Sequence, residues 1–307
     1  MLRFWITVSL LLTIIFTGIG LLLSRQWGWS EYASDELYVV YSALVDSDKL
    51  YFIVNANGSS KSETLKSTQG TITAVNCSPD GRTLAFLTDA MHLYVVTSTG
   101  LIYDKLINRI YANLTVANNG TVVYFQNTDA FRVDANHAEQ LVLPGGDYPR
   151  GSTSYYDYVG VSSQRFELWS SPPDGVQVVS PTGQILSTIF HANVEQLWTS
   201  ERIFTYFFYP TTFSGDALNS GRYLFDTSTE HAFRLSELTP FSLFSPDGTL
   251  EATAGVVDGQ QVHDQIVVVD PFKPIGSGRQ LTHDLDTTFA LVCFLTFRPQ
   301  MLLADNP

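Results

Sequence analysis

Residues 72–106 read ITAVNCSPDGRTLAFLTDAMHLYVVTSTGLIYDKL, and the order of apolar runs and turn residues in this stretch decides the fold. Ile72 to Cys77 is a short β-prone run. Ser78, Pro79, Asp80 and Gly81 follow as a tight turn, because proline fixes φ early in it and glycine accepts a positive φ. Thr83 to Thr88 and His92 to Thr97 read as two more strands, and Ser98 to Gly100 turns the chain into a fourth from Leu101. Leu84, Ala85, Phe86 and Leu87 carry no polar break, so that strand is expected to be covered on both faces. The stretch predicts a small sheet of four sequential antiparallel strands.

The third strand and the turn that ends it recur along the chain. The copies are LYFIVNANG ending at Gly58, HLYVVTSTG at Gly100, AFRVDANH at His137, VQVVSPTG at Gly183, RYLFDTSTE at Glu230 and QIVVVDPFKPIG at Gly276, with successive spacings of 42, 37, 46, 47 and 46 residues. That period suits a radial array of four-stranded units rather than a helical repeat. The turn at Ser78 to Gly81 recurs as Ser245, Pro246, Asp247 and Gly248, in degraded form as Ala117 to Gly120, and in matching position as Phe297 to Gln300. Six copies predict an all-β chain, a β-propeller of six four-stranded blades. Glu36 to Ser42 begins the first blade without an innermost strand, so Phe289 to Phe297 is expected to close the ring by pairing there, which removes two sheet edges. Met301 to Ala304 is left open as a further strand, and a seventh blade stays open on that account.

Ahead of the repeats, Phe4 to Leu23 is an uncharged apolar run. Its 20 residues, at about 1.5 Å each, match the thickness of a bilayer's hydrocarbon core. No clean small-x-small cleavage site follows, which favours a retained signal anchor over a cleaved peptide. Trp5 before it and Trp27, Trp29 and Tyr32 after it are placed as rings that settle at the membrane interface. The expected organisation is a transmembrane helix over 1–23, a juxtamembrane linker over 24–34 and the propeller over 35–307. The expected orientation is single-pass with the N-terminus inside and the propeller periplasmic or extracellular.

Charge narrows the partners. The chain holds 17 basic and 30 acidic residues, a net charge of -13, and such a surface repels phosphate backbones, so no nucleic acid partner is expected. The two cysteines, Cys77 and Cys293, read as buried free thiols on neighbouring inner strands, a state commoner than the bridge that an oxidising compartment would permit. Four N-x-S/T sequons begin at Asn57, Asn76, Asn113 and Asn119. They bear on a eukaryotic secretory setting alone.

The pattern Ser78-Pro79-Asp80-Gly81, Leu84-Ala85-Phe86, Leu93-Tyr94-Val95-Val96 and the Gly100 turn resembles the TolB-like propeller repeat, often described as WD40-like. It is clear over 72–106, partial over 241–281 and faint elsewhere. The resemblance implies an extracytoplasmic propeller that binds other proteins; some members of the family carry an attached hydrolase domain. TolB itself has an α/β domain ahead of its propeller, for which no room is read between Leu23 and Asp35, so its envelope partnership is not carried over. Nor is a glycosidase Asp box matched, since Asp80-Gly81 and Asp247-Gly248 are adjacent pairs between first and second strands.

Linear catalytic motifs are absent. The histidines show no H-E-x-x-H or comparable spacing; His263 with Asp264, and His283 with Asp284 and Asp286, come nearest to a metal or acid–base cluster and read as solvated loop residues. No G-x-S-x-G elbow raises a serine. Asp80 and Asp247 are expected to cap their own turns. No cofactor or metal is expected. Two aromatic clusters remain: Phe204 to Phe208 reads as sheet core, while Tyr155, Tyr156, Tyr158, Tyr209 and Phe213 are candidate binding-loop residues, because rings with polar tips suit protein interfaces. The sequence thus predicts a membrane-anchored binding or accessory module whose partner is a protein, such as an integral membrane protein. The alternatives are an enzyme acting on a glycan or peptide in the propeller channel, or a sugar or small-ligand sensor.

Overall fold

A computed structural model describes residues 37–46, 48–107, 111–126, 129–134, 136, 138–143, 157–162, 167–171, 175–180, 184–208, 221–236, 242–257, 260–269, 278–283 and 289–303. Sheet 1 contains β1 (Tyr38–Val45), β2 (Asp48–Asn55) and β3 (Glu63–Thr64). Sheet 2 is β4 (Ile72–Cys77), β5 (Thr83–Thr88), β6 (His92–Thr97) and β7 (Gly100–Leu106), and sheet 3 is β8 (Tyr111–Val116), β9 (Val122–Gln126), β10 (Asp129–Val133) and β11 (Glu139–Leu143). Sheet 4 holds β12 (Asp157–Val161), β13 (Glu167–Ser171), β14 (Gly175–Val179) and β15 (Ile185–Ile189). Sheet 5 holds β16 (Ala192–Leu197), β17 (Ile203–Phe208), β18 (Gly221–Asp226) and β19 (His231–Ser236). Sheet 6 is β20 (Ser242–Phe244), β21 (Glu251–Val257), β22 (Gln260–Val269) and β23 (Arg279–Gln280).

The last strand, β24 (Phe289–Leu295), returns to sheet 1 and pairs antiparallel with β1, Tyr38 facing Leu295 and Ala43 facing Phe289. All six sheets are four-stranded, and β2, β6, β10, β14, β18 and β22, which carry the repeated motif, are each third in order. First strands touch in a closed cycle: β24 to β4, β8, β12, β16, β20 and back to β24. The fold is all-β and propeller-like.

Burial follows from that arrangement. All six residues of β5 are buried, while β7 buries Tyr103 alone, as expected where middle strands are covered on both faces and the outermost faces water. The core is divided into wedges between adjacent sheets. Val40, Ile53, Leu84, Phe86, Val96 and Leu295 fill the wedge between sheets 1 and 2, and Leu87, Val95, Val116, Val122 and Tyr124 the one between sheets 2 and 3. Phe204 and Tyr206 are buried between sheets 4 and 5 with Val176 and Val178.

Two expectations are corrected. Cys77 on β4 and Cys293 on β24 form a disulfide, with Cα atoms 5.7 Å apart and 216 residues between them in sequence. Contact between the first strands of adjacent sheets brings these thiols together as expected, and it is the bridged rather than the free state that the structure holds. Met301 to Leu303, the described part of the segment left open as a further strand, does not form one: Gln300–Leu302 is a 3-10 turn, and Leu303 makes only an isolated bridge to Leu65. Pro299 directs the chain into that turn. The apolar run 4–23 and Trp5, Trp27, Trp29 and Tyr32 lie outside the described residues; among those described, no helix is long and apolar enough to cross a membrane.

Candidate functional site: a channel with a hydrogen-bonded floor

The Ser78–Gly81 and Ser245–Gly248 turns are built alike. In the first, the Gly81 amide donates to the Ser78 carbonyl at 2.8 Å with Gly81 at φ +68°, Ser78 Oγ donates to Asp80 Oδ1 at 2.5 Å, and Arg82 N–H donates to the same oxygen at 3.1 Å. In the second, Ser245 Oγ lies 2.5 Å from Asp247 Oδ1, which also accepts from the Thr249 amide at 3.0 Å. Both aspartates hold their own turns.

These turns meet at one end of the channel. Asn118, in the sheet 3 copy, accepts from the Asp80 amide at 2.9 Å through Oδ1 and donates from Nδ2 to the Thr199 carbonyl at 2.8 Å. Its own amide donates to Glu201 Oε1 at 2.6 Å. Thr199 Oγ1 lies 3.1 Å from the Pro79 carbonyl and 2.8 Å from that of Pro246, so one hydroxyl hydrogen is shared between turns of sheets 2 and 6. Thr296, just past β24, donates its amide to the Gly81 carbonyl at 2.9 Å. Five of the six sheets thus contribute to one floor.

Sequence reasoning missed the sheet 5 member of this set. Trp198 to Arg202 makes the same turn, with Trp198 N–H to Ile203 O at 2.9 Å and Glu201 N–H to Trp198 O at 2.7 Å, yet contains neither proline nor glycine. Glu201 takes the glycine's place at φ +50°. The Glu201 carboxylate, bound to the Asn118 amide, compensates for a conformation that L-residues disfavour.

Above the floor lies a cavity of about 200 Å³ lined by the ends of five inner strands, with Asn76, Cys77, Thr115, Val116, Glu195, Gln196, Leu243, Phe244, Val292 and Cys293 among its walls. Amides at equivalent positions, one residue before the strand end, tie neighbouring sheets together. Asn76 Nδ2 donates to the Leu114 carbonyl at 2.9 Å, and Gln196 exchanges two 2.7 Å bonds with the backbone of Phe244. The sequon at Asn76 therefore has its amide engaged inside the ring. Glu195 is the one carboxylate among the described lining residues. Arg222 grips it through Nε at 2.6 Å and Nη2 at 3.3 Å, and reaches Glu251 on β21 at 3.1 Å through Nη1. Arg222 is 1% exposed and lies 5.7 Å from the centre of the Phe244 ring. Such a bidentate, desolvated pair fixes the orientation of the Glu195 carboxylate.

The remaining candidates divide. Tyr155, Tyr156, Tyr209 and Phe213 lie outside the described residues, as do Asp284 and Asp286, and Tyr158 is described only as backbone of β12, facing Trp169. β11 ends, β12 starts and β17 ends at the end of the sheets opposite the hydrogen-bonded floor. His283 is exposed and His263 sits on β22. Among the described residues, no group of three or more His, Cys, Asp or Glu is placed to hold a metal.

Comparison with known proteins adds little. No family model matches the chain, and no curated protein matches it. Among solved structures, the chain is similar to an oligogalacturonate lyase in complex with manganese, at 13% identity and a TM-score of 0.49, over 84% of this chain and 77% of that one.

Proposed function

We propose that the six sheets are the six blades of one closed propeller, and that this propeller is a membrane-anchored extracytoplasmic module that binds a protein partner as an accessory subunit. The observation that carries the reading is the state of the channel. It is floored by turns bonded to one another, walled by Asn76, Thr115, Val116 and Val292, and its Glu195 is held by Arg222. An enzyme acting on a glycan or peptide there would need free acids or bases on that wall. The reading assigns recognition to the opposite face, at which β11 and β17 end and β12 begins, and to Tyr155, Tyr156, Tyr158, Tyr209 and Phe213 as its candidate residues.

Two further features support an anchored, extracytoplasmic reading. The Cys77–Cys293 bridge suits an oxidising compartment. The chain enters sheet 1 at Tyr38, opposite Leu295, on the floored side. A linker over 24–34 then tethers that side to the bilayer and directs the opposite face away from it.

The test is affinity capture of the full chain after mild-detergent extraction from its native membrane, alongside a variant with Tyr155, Tyr156, Tyr158, Tyr209 and Phe213 changed to serine. A protein recovered in stoichiometric amount with the wild type and lost from the variant is the expected result. Recovery of the chain alone from both would overturn the accessory reading and direct attention to glycan and peptide substrates.

A further inference from the structure

A second cavity, of about 460 Å³, lies away from the channel in the wedge between sheets 1 and 6. The outer strands flanking it are short. The fourth strands β3 and β23 have two residues each, whereas β7, β11, β15 and β19 have five to seven. Phe52 and Phe289, both half-buried, line this cleft together with Tyr41, which is only 3% exposed.

Three rings form its apolar wall. Tyr41 stacks on Phe52 with centroids 5.4 Å apart and meets Phe289 edge-on at 5.7 Å. Ser62 hydrogen-bonds the Tyr41 hydroxyl. One end is bridged, because Arg279 Nη1 donates to the Asn57 carbonyl and its Cδ lies 2.7 Å from where a Cβ on Gly58 would stand. At the other end the wall finishes at Val45, which is 38% exposed. The charged or ionisable groups on the described lining, apart from Tyr41, are Lys61 and His283, both exposed, with no Asp or Glu among them. In a chain with 30 acidic and 17 basic residues, a lining whose described residues include a lysine and no acid is an electrostatic exception.

We propose that this cleft is a binding site for a small amphipathic anion, a planar ring system bearing a carboxylate, with the ring against Phe52 and Phe289 and the carboxylate toward Lys61. The volume is within the ordinary range for small-molecule pockets, and an apolar wall with few convergent polar groups is their usual make-up. The inference is independent of the accessory role, since it concerns a different surface.

The probe is 2-naphthoate, compared with the uncharged 2-naphthamide, titrated calorimetrically into the full chain in detergent with a blank titration into micelles. The acid is expected to bind saturably and more tightly than the amide. Lys61→Gln is expected to weaken the acid about fivefold, the scale of an exposed charge pair, and to leave the amide unchanged. Val45→Trp, which fills the open end from an exposed position, is expected to abolish binding of both, with circular dichroism confirming that each variant is folded. No saturable binding, equal affinities for acid and amide, or binding that survives Val45→Trp would each overturn the proposal.

Discussion

Arg222 and Glu195, 27 residues apart on β18 and β16 of one sheet, are joined by two hydrogen bonds of 2.6 and 3.3 Å at the channel wall. The same guanidinium crosses to Glu251 of the next sheet. Removing it leaves two carboxylates in a site with side-chain exposures of 7% and 10%. Arg222→Met is expected to destabilise the fold by about 3–5 kcal/mol, the cost of removing one member of a buried charge cluster. The triple change Glu195→Leu, Arg222→Met and Glu251→Leu is expected to recover most of that loss, because it removes the charges together. Urea midpoints of the two variants check both statements.

Asn118 offers a sharper local test. Its side chain bonds two turns from two other sheets, so Asn118→Ala leaves the Asp80 amide and the Thr199 carbonyl without it. The expected loss is about 2–3 kcal/mol in thermal or urea unfolding. Asn119→Ala, one residue along, removes a bond to the Thr121 amide within its own turn and is expected to cost under about 1 kcal/mol. Equal effects at the two positions would show that the floor does not hold the sheets together.

The disulfide yields a prediction that depends on loop length. Joining positions 216 residues apart restrains the unfolded chain strongly, and in the chain-entropy description the Cys77→Ala/Cys293→Ala pair is expected to lower stability by up to about 5 kcal/mol. Thiol labelling of the intact protein is expected to find no reactive cysteine before reduction and two after it. Labelling of both without reductant would place the chain in its reduced state.

Alkaline stability follows from the buried phenols. Desolvation pushes Tyr51 and Tyr206 up to about 12 from the ordinary 10, and raises Tyr103 and Tyr124 as well, the latter also through its bond to Glu139. A phenol whose folded pKa exceeds its unfolded value keeps its proton longer in the native state. Its stabilising contribution is complete below pH 10 and is lost as pH rises toward 12. Tyrosinate absorbance is expected to rise in two steps. The exposed members of the 15 tyrosines titrate first, and the buried ones appear together with loss of the β-sheet circular dichroism.

Much of the architecture could be read from residues alone, for reasons visible in particular elements. The six motif-bearing strands and the pairing of Phe289–Leu295 with the first sheet follow from a period repeated often enough to outvote local noise. The Ser-Pro-Asp-Gly turns were legible because their conformation demands residues of a narrow type. Trp198–Arg202 was not, because a tertiary bond to Asn118 stands in for that local demand and lets Glu201 occupy the glycine's place. The Glu195–Arg222–Glu251 cluster left no signal either: its members lie 27 and 29 residues from one another along the chain, on strands whose adjacency only the fold creates. The side cleft is flanked by two short outer strands, and a short strand looks like a loop in sequence.

The pairing of β24 with β1 also sets the order of events during synthesis. Sheet 1 emerges first from the ribosome but lacks its inner strand until Leu295 is made, a delay on the order of tens of seconds at ordinary translation rates. Through that interval the inner edge of β1 presents open amides and carbonyls to any strand nearby. The Cys77–Cys293 bond likewise waits for synthesis of the β24 segment, which carries its second thiol. A nascent chain truncated before β24 would be an aggregation hazard rather than a smaller propeller.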